Sequence, residues 1–352
     1  MRVVVIGAGA SGAATVLQLL RAAPAAHVTV VDARGCAWRG PAYATPAECH
    51  LLNIPRAAMS ILPDAPGDFE AFLREEVAAG RADGAWLAPD RTHSPRGLYG
   101  RYLATRVAQA VAAAPAGRVR LLAGLAVAVD AAANVVTVNP PAAATADTLP
   151  GGAADPHQPR FAVETVTEPT RLRADFIVLA NGNLPPRPLR PLAEVLMSPR
   201  YVGDPWAFPP LPPGATVGLV GSRLTAVDFA LLLRARGHTG PLVFFSRTGQ
   251  LPRENRGHDG TPPHPDPAFI AGAADMLSLD EVAEALRREC RRAAAATSSP
   301  ALPWHSVVDA LRPHTNALWR RLGDGDRTAT MSPTTWRATP AAKSARTSRS
   351  CP

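Results

Sequence analysis

The first 32 residues constrain the fold more than any other part of the chain. Val3-Val4-Val5-Ile6 is an unbroken apolar run of the kind a buried parallel strand needs, and Gly7-Ala8-Gly9-Ala10-Ser11-Gly12 is a glycine turn. Ala13 to Arg21 continues as a helix, and Val28-Thr29-Val30-Val31 is a second strand ending at Asp32. In such a unit Gly7 permits the tight turn, Gly9 lets the backbone approach a pyrophosphate, and Gly12 lets helix and strand pack closely. Ser11 lies in the same turn, where free N–H groups at the helix N-terminus face a phosphate. Asp32 follows Gly12 by 20 positions and is placed to accept hydrogen bonds from a ribose. The strand, turn, helix and acid together imply a dinucleotide site; a ligand-free structural turn of Rossmann type is the alternative.

A chain of 352 residues, 47% of them hydrophobic, is long enough for about two domains with cores of their own. A strand starting at residue 2 leaves no room for a secretory leader, and no apolar run reaches a membrane span, so a cytoplasmic protein is expected. Cys36, Cys49, Cys290 and Cys351 form neither a CxxC nor a ligand cluster, which argues against a redox dithiol or a zinc site, and no metal is expected. The net charge of +8 is concentrated at one end. Arg327, Arg337, Lys343, Arg346 and Arg349 have no acid among them in residues 327–352, so the body of the chain carries only +3 and nucleic acid is not an expected partner.

Beyond Asp32 the pattern is loop-like over 36–66, with Gly40-Pro41, Pro46, Pro55 and Pro63-Asp64 as breakers. Helices are predicted at about 67–79 and 98–114, and strands at about 118–129, 134–138 and 160–166, separated by an Ala/Pro/Gly-rich loop. Asp175 to Gly182 then forms an apolar strand closing in Ala180-Asn181-Gly182. Alone this is any core strand. Downstream of a glycine fingerprint, an Ala-x-Gly close favours FAD, whose path passes the glycine backbone.

A second βαβ pattern runs through Val217–Val220, the turn Gly221-Ser222-Arg223-Leu224-Thr225-Ala226, a helix to Arg236 and the strand Pro241–Phe245. Here Arg223 replaces the middle glycine. Its side chain crowds a pyrophosphate unless the guanidinium swings outward to pair with it. Ser246-Arg247 stands where an acid would bind a ribose, and a cation there suits the 2′-phosphate of NADPH. A docking module with a damaged site is the other reading. The expected fold class is therefore α/β, with two Rossmann-like dinucleotide-binding domains at 1–205 and 206–326, a helical insertion at about 36–115, and a disordered tail at 327–352.

Several stretches resemble the bacterial FAD/NAD(P)-binding family of YdhS type among the two-dinucleotide flavoproteins. They are the first fingerprint, Gly40-Pro41-Ala42-Tyr43, His50-Leu51-Leu52-Asn53-Ile54-Pro55, Met59-Ser60, Pro63-Asp64, Asp68-Phe69 and Tyr99-Gly100-Arg101-Tyr102-Leu103. Asp204-Pro205-Trp206, Leu224 to Asp228, Ser246-Arg247 and Leu251-Pro252-Arg253 continue the likeness. The 40–69 stretch is also similar to the flavin-facing loop of flavin monooxygenases. That similarity implies that Asn53 hydrogen-bonds the reduced flavin or its oxygen adduct; a loop-capping amide is the plainer alternative. His50, as a lone histidine, reads as structural, and His258 and His264 as solvated. No Phe-x-Gly-x-x-x-His-x-x-x-Trp stretch precedes the second pattern, which argues against Baeyer–Villiger chemistry.

A helix capped by Ser278 and Glu281 is predicted to run to about Ala296, followed by one carrying Val307, Val308, Leu311, Leu318, Trp319 and Leu322. After Asp326 apolar periodicity stops, which reads as a truncated or frameshifted end, or as a natural disordered tail. The resemblance implies an FAD-dependent NAD(P)H oxidoreductase, with monooxygenase-like turnover as one form, passing a hydride from NADPH to FAD and electrons on to oxygen or an organic acceptor. The rivals are a non-catalytic nucleotide-binding module and an inactive fragment. The sequence names neither a small-molecule substrate nor an oligomeric state.

Overall fold

Five strands pair in parallel in the order β6 (Glu164–Thr165), β3 (Val119–Ala123), β2 (His27–Asp32), β1 (Arg2–Ile6) and β8 (Phe176–Leu179). β1 lies between β2 and β8, with Val4 opposite both Thr29 and Ile177. β3 extends the sheet beyond β2, and the two-residue β6 closes that edge. The computed structural model describes residues 1–34, 38–141, 157, 159, 161–183, 193–203, 210–247, 249–252, 269, 272, 276, 278–295, 307–308, 311, 314–323 and 325. They belong to two compact units, Met1–Glu254 and Asn255–Pro352.

Successive side chains of a strand face opposite sides of its sheet, and the valines of β1 divide accordingly. Val3 and Val5 join Val28, Val30 and Leu121 against α1 (Ala10–Ala22) and α4 (Arg96–Ala113), through Ala13, Val16, Leu17, Ala104 and Val107. Val4, Val31 and Leu122 meet Val136 and Val138 on the other side. Those two belong to an antiparallel sheet ordered β4-β5-β7, made of Leu125–Asp130, Val135–Asn139 and Thr170–Arg173. The parallel sheet is thus covered by helices on one face and by a second sheet on the other. Full burial of a valine such as Val5 or Val30 contributes about 1.5–3 kcal/mol.

The structure corrects several sequence boundaries. The helix predicted from Ala13 begins at Ala10, because Gly9 is its N-cap and accepts the Ala13 N–H at 2.9 Å. The predicted strand at 118–129 is two strands in two different sheets. Gly124 separates them, and a Cβ there would stand 2.6 Å from Val138 Cγ1, so only glycine lets the chain cross from one sheet to the other. The predicted strand at 160–166 is reduced to β6, and β7 was not predicted, since four residues with one inward leucine carry little periodicity. The helix predicted from residue 98 begins at Arg96.

The insertion holds the short α2 (Gly40–Tyr43), α3 (Asp68–Ala78) and the 3₁₀ turns Arg56–Ala58 and Gly84–Leu87. A four-residue α5 (Ala193–Leu196) follows β8. The second nucleotide pattern forms β9 (Val217–Val220), α6 (Leu224–Ala235) and β10 (Leu242–Phe245), with the two strands parallel.

In the second unit α7 (Leu279–Ala295) starts at the predicted capping box: Ser278 Oγ accepts the Glu281 N–H, and Glu281 Oε2 accepts the Ser278 N–H at 3.0 Å. Leu318 of α8 (Thr315–Arg321) packs with Leu311, Phe269, Met276, Val282 and Leu286. Among the described residues no helix is long and apolar enough to cross a membrane, and no cluster of metal-ligating side chains occurs. Cys36, Asp204-Pro205-Trp206, Arg253, His258, His264, Cys351 and the 327–352 tail lie outside the described residues.

Candidate functional site

The three glycines of the first turn are glycine for different reasons. Gly7 has φ +106°, and a Cβ on it would lie 2.3 Å from the Ala180 carbonyl oxygen; a Cβ on Gly12 would lie 2.1 Å from the Gly7 oxygen. Both are demanded by the packing of β1, α1 and β8. Gly9 is not. Its φ of −87° suits any residue, and among the described residues its Cβ would meet nothing nearer than Gly40 Cα at 3.6 Å. The missing side chain therefore keeps open a space in front of the α1 N-terminus, which has no side-chain cap. An open cradle before unsatisfied N–H groups is what an anionic ligand needs, and Ser11 is exposed at its rim.

The rest of the first site converges on this turn. Asp32 accepts the Ala8 N–H at 2.8 Å and the Arg34 N–H at 2.7 Å, one on each oxygen, which leaves lone pairs for further donors. Ala180 donates its N–H to the Ile6 carbonyl at 2.8 Å, and Gly182 follows at φ +74° with nothing within 4 Å of a Cβ. Trp38 and Gly40 both have φ +60°, and Gly40 faces Gly9 backbone to backbone. For a buried tryptophan that left-handed conformation is strained, a cost that surrounding packing must offset.

The second turn has nearly the same backbone. Gly221 has φ +114° and donates its N–H to the Phe245 carbonyl at 2.8 Å, as Gly7 does to Val31 at 2.8 Å. Arg223 caps α6 at φ −93°, ψ −174°, against −87° and −164° for Gly9. Arg223 is unstrained there, and its side chain is exposed. Ser222 Oγ donates to the Gln250 carbonyl at 2.7 Å, and Ser246 Oγ accepts the Gly249 N–H at 2.9 Å; Arg247, just past β10, is exposed.

Asn53, itself exposed, lies at the edge of a largely buried polar cluster that joins its loop to α6. The loop and the start of α4 are stitched by Leu52 N–H to the Ser94 carbonyl at 2.9 Å and Arg96 N–H to the His50 carbonyl at 2.8 Å. The Arg96 guanidinium donates to the Leu51 carbonyl at 2.8 Å and to Asn53 Oδ1 at 2.9 Å, and its Nη2 lies 2.9 Å from Asp228 Oδ2. That last contact is an ion pair out of line for a hydrogen bond. Burial pushes the Asp228 carboxyl above its ordinary value, against the pull of Arg96 and His50.

His50, 1% exposed, has a structural place in the cluster. Its Nε2 lies 3.2 Å from the Asp228 carbonyl, which can only accept, so Nε2 carries the proton. Nδ1 then accepts from Thr45 Oγ1 at 2.7 Å, and Thr45 Oγ1 in turn accepts the Ala47 N–H. Burial lowers the His50 pKa below 6.5, and burial lowers that of His93 as well. These two histidines thus bind fewer protons in the folded state than in the unfolded chain, and the stability they contribute is lost as pH falls below 6.5. We expect urea midpoints to drop there, and His50→Asn, though less stable throughout, to show a shallower slope. Equal slopes would remove His50 from the effect.

Many other residues of the 40–103 stretch pack or pair within the protein. Tyr99, Tyr102, Phe69 and Phe72 form an aromatic cluster, with Tyr43 edge-on to Tyr99 at 4.9 Å. Gly100 admits the Tyr43 carbonyl, 2.3 Å from where a Cβ would be, and Arg101 pairs with the buried Glu76 at 3.1 Å. Met59 packs on the cluster, and Ser60 Oγ donates within its own turn, to Ala65 at 2.7 Å. Asp68 holds Arg106 at 2.8 and 3.0 Å and accepts the Tyr102 hydroxyl at 2.8 Å. Burial would raise the Asp68 pKa, but those partners keep it low; burial pushes the Tyr102 phenol up to about 12.

Arg96, Asp228 and Thr45 were not singled out as site residues in the sequence. Two signals pointed to the first two. A cation in the first turn of a helix opposes the macrodipole, and Asp228 is a lone acid in the apolar Leu224–Ala235 helix.

Residues 4–148 match the profile of a family described as FAD-NAD(P)-binding. The match spans β1 through β5, the first turn, Asp32 and Asn53 included. No curated protein matches the chain. Solved structures with partial likeness include an engineered water-forming NADPH oxidase bound to NADPH, at 15% identity and TM-score 0.30, over 70% of this chain and 40% of that one. OTEMO in complex with FAD and NADP gives 14% and 0.43 over 87% and 59%. The lysine monooxygenase NbtG from Nocardia farcinica gives 15% and 0.40 over 92% and 70%. The chain spans about two fifths of the length of the water-forming oxidase. Scores this low transfer no function.

Proposed function

We propose that the chain holds FAD at the first turn and NADPH at the second, and acts as an FAD-dependent NAD(P)H oxidoreductase in the cytoplasm. The observation that carries this is Gly9: among the described residues no neighbour requires glycine there, while a ligand pyrophosphate in front of α1 would. Asp32 would take the adenosine ribose with its remaining lone pairs, and Gly182 and Ala180 would line the cofactor's path. Arg223 would pair with the NADPH pyrophosphate from its exposed N-cap position, and Arg247 with the 2′-phosphate. Bound flavin supplies the hydride and electron chemistry. The chain's part is to align the two nucleotides and to present Asn53 to the flavin. Oxygen or an organic molecule is the final acceptor, which makes monooxygenase-like turnover one form of the activity; nucleic acid is not a partner.

The visible spectrum of the purified protein tests this, recorded before and after anaerobic addition of NADPH or NADH. A flavin spectrum that NADPH bleaches faster than NADH is expected. Arg247→Ala should reduce that preference by roughly tenfold, the lower end for a charge-assisted bond at an exposed position. Equal rates with both nucleotides in the unaltered protein would remove Arg247 from nucleotide choice, and a colourless protein that gains no flavin on reconstitution would refute the reading itself.

A further inference from the structure

Arginine has only donors, so the Asn53 atom that faces the Arg96 guanidinium must be the amide oxygen. The orientation of the Asn53 amide therefore follows from the chemistry of its partner. With Oδ1 engaged, the Nδ2 pair is what Asn53, an exposed residue, can offer a ligand. Oδ1 keeps a second lone pair but stays turned to Arg96, so what the other end of the amide presents to a ligand is its N–H pair, a hydrogen-bond donor.

What holds Arg96 in place comes partly from the second nucleotide pattern. Arg96 is nearly buried, with 12% of its side chain exposed, and it opens α4, where the helix macrodipole disfavours a cation. Its charge is balanced by Asp228, also 12% exposed, from the helix that begins at Arg223. The main chain of Asp228 meanwhile accepts the His50 Nε2 proton, three residues before Asn53. Side chain and backbone of one α6 residue thus hold both ends of the 50–53 segment.

The geometry points to Arg96, balanced by Asp228, as the positioning residue that fixes Asn53 as a donor to an accepting edge of the bound flavin, and so ties the NADPH-side helix to the flavin-side loop. This rests on the FAD reading above. A donor at that place serves an acceptor atom that gains electron density when the flavin is reduced, whereas an acceptor there would repel it.

The experiment uses the full chain reconstituted with FAD and compares Asn53→Asp, Asp228→Asn, Asp228→Ala and the double variant Asn53→Asp/Asp228→Ala. Asn53→Asp keeps an oxygen for Arg96 but exchanges the N–H pair for a second acceptor. FAD content and melting temperature should match the unaltered protein, the visible flavin bands should shift, and reoxidation of NADPH-reduced flavin should change by about tenfold. A loop-capping Asn53 would leave bands and rate unchanged, which would overturn the proposal.

Asp228→Ala should raise hydrogen exchange of peptides covering 50–53 in the flavin-free protein and shift the same flavin bands, with Asp228→Asn between the two. In the double variant the reoxidation rate should equal that of Asn53→Asp alone, because both changes act through one amide. Additive effects would overturn the proposal while leaving the FAD reading intact. An unaltered chain that holds no flavin would overturn both.

Discussion

A Gly9→Val variant is expected to fold and to lose its flavin. The branched side chain grows into the side of the turn where, among the described residues, a Cβ meets only the Gly40 backbone at 3.6 Å, so the first sheet keeps its register while the path for a pyrophosphate is filled. Gly9→Ala is the milder member of the pair and should cost no more than about 1 kcal/mol of stability at an N-cap. Gly12→Ala is the contrast: its Cβ would stand 2.1 Å from the Gly7 carbonyl, and the resulting overpacking should cost about 1–3 kcal/mol even without ligand. Flavin absorbance per chain, measured beside denaturant midpoints, separates the two. A Gly9→Val protein that stays yellow at one flavin per chain would show that the pyrophosphate does not pass Gly9.

The largest loss of stability should come from Asp68→Ala. Asp68 binds both arms of Arg106 and the Tyr102 hydroxyl, and the side chains of the ion pair are only 16% and 12% exposed. Removing the carboxylate leaves a nearly buried guanidinium without its counter-charge, which costs about 3–5 kcal/mol. Tyr102 also accepts the Ile61 N–H at 3.0 Å, so the 59–62 turn should loosen with it. Urea unfolding gives the stability, and proteolysis near Ile61 gives the local effect. A loss below about 1 kcal/mol would mean that the pair is screened as a surface pair is.

The first 32 residues were legible because every level agreed: apolar run, glycine spacing, helix and acid all specify one βαβ unit, and the structure differs only in starting α1 three residues earlier. The single strand predicted at 118–129 failed because hydrophobicity does not change where the chain leaves one sheet for the other; only the small size of Gly124 marks the crossing. β7 was hidden by its length. At the site, the glycines could be found from their spacing, but spacing does not distinguish Gly7 and Gly12, which packing requires, from Gly9, which it does not. The Arg96–Asp228 pair joins residues distant in sequence, and each looks ordinary until the other is beside it. His50 reads as structural in both sequence and structure, and the distance of α6 in the sequence hides the reason: Nε2 donates to the main chain of α6 while Nδ1 accepts from Thr45.

The near identity of the two turns has an evolutionary consequence. At the first, two of the three glycines are tied to the fold, so most substitutions there damage the protein whether or not a ligand is bound, and purifying selection acts on the site even in the absence of any demand for its ligand. At the second, ligand contacts would come from Arg223 and Arg247, both exposed and neither needed by the backbone. Packing thus preserves Gly7 and Gly12 whatever the first turn holds, whereas Gly9, Arg223 and Arg247 could each change within a few codons and leave the scaffold intact, so on the proposed reading lineages could adopt a different electron donor without rebuilding the fold.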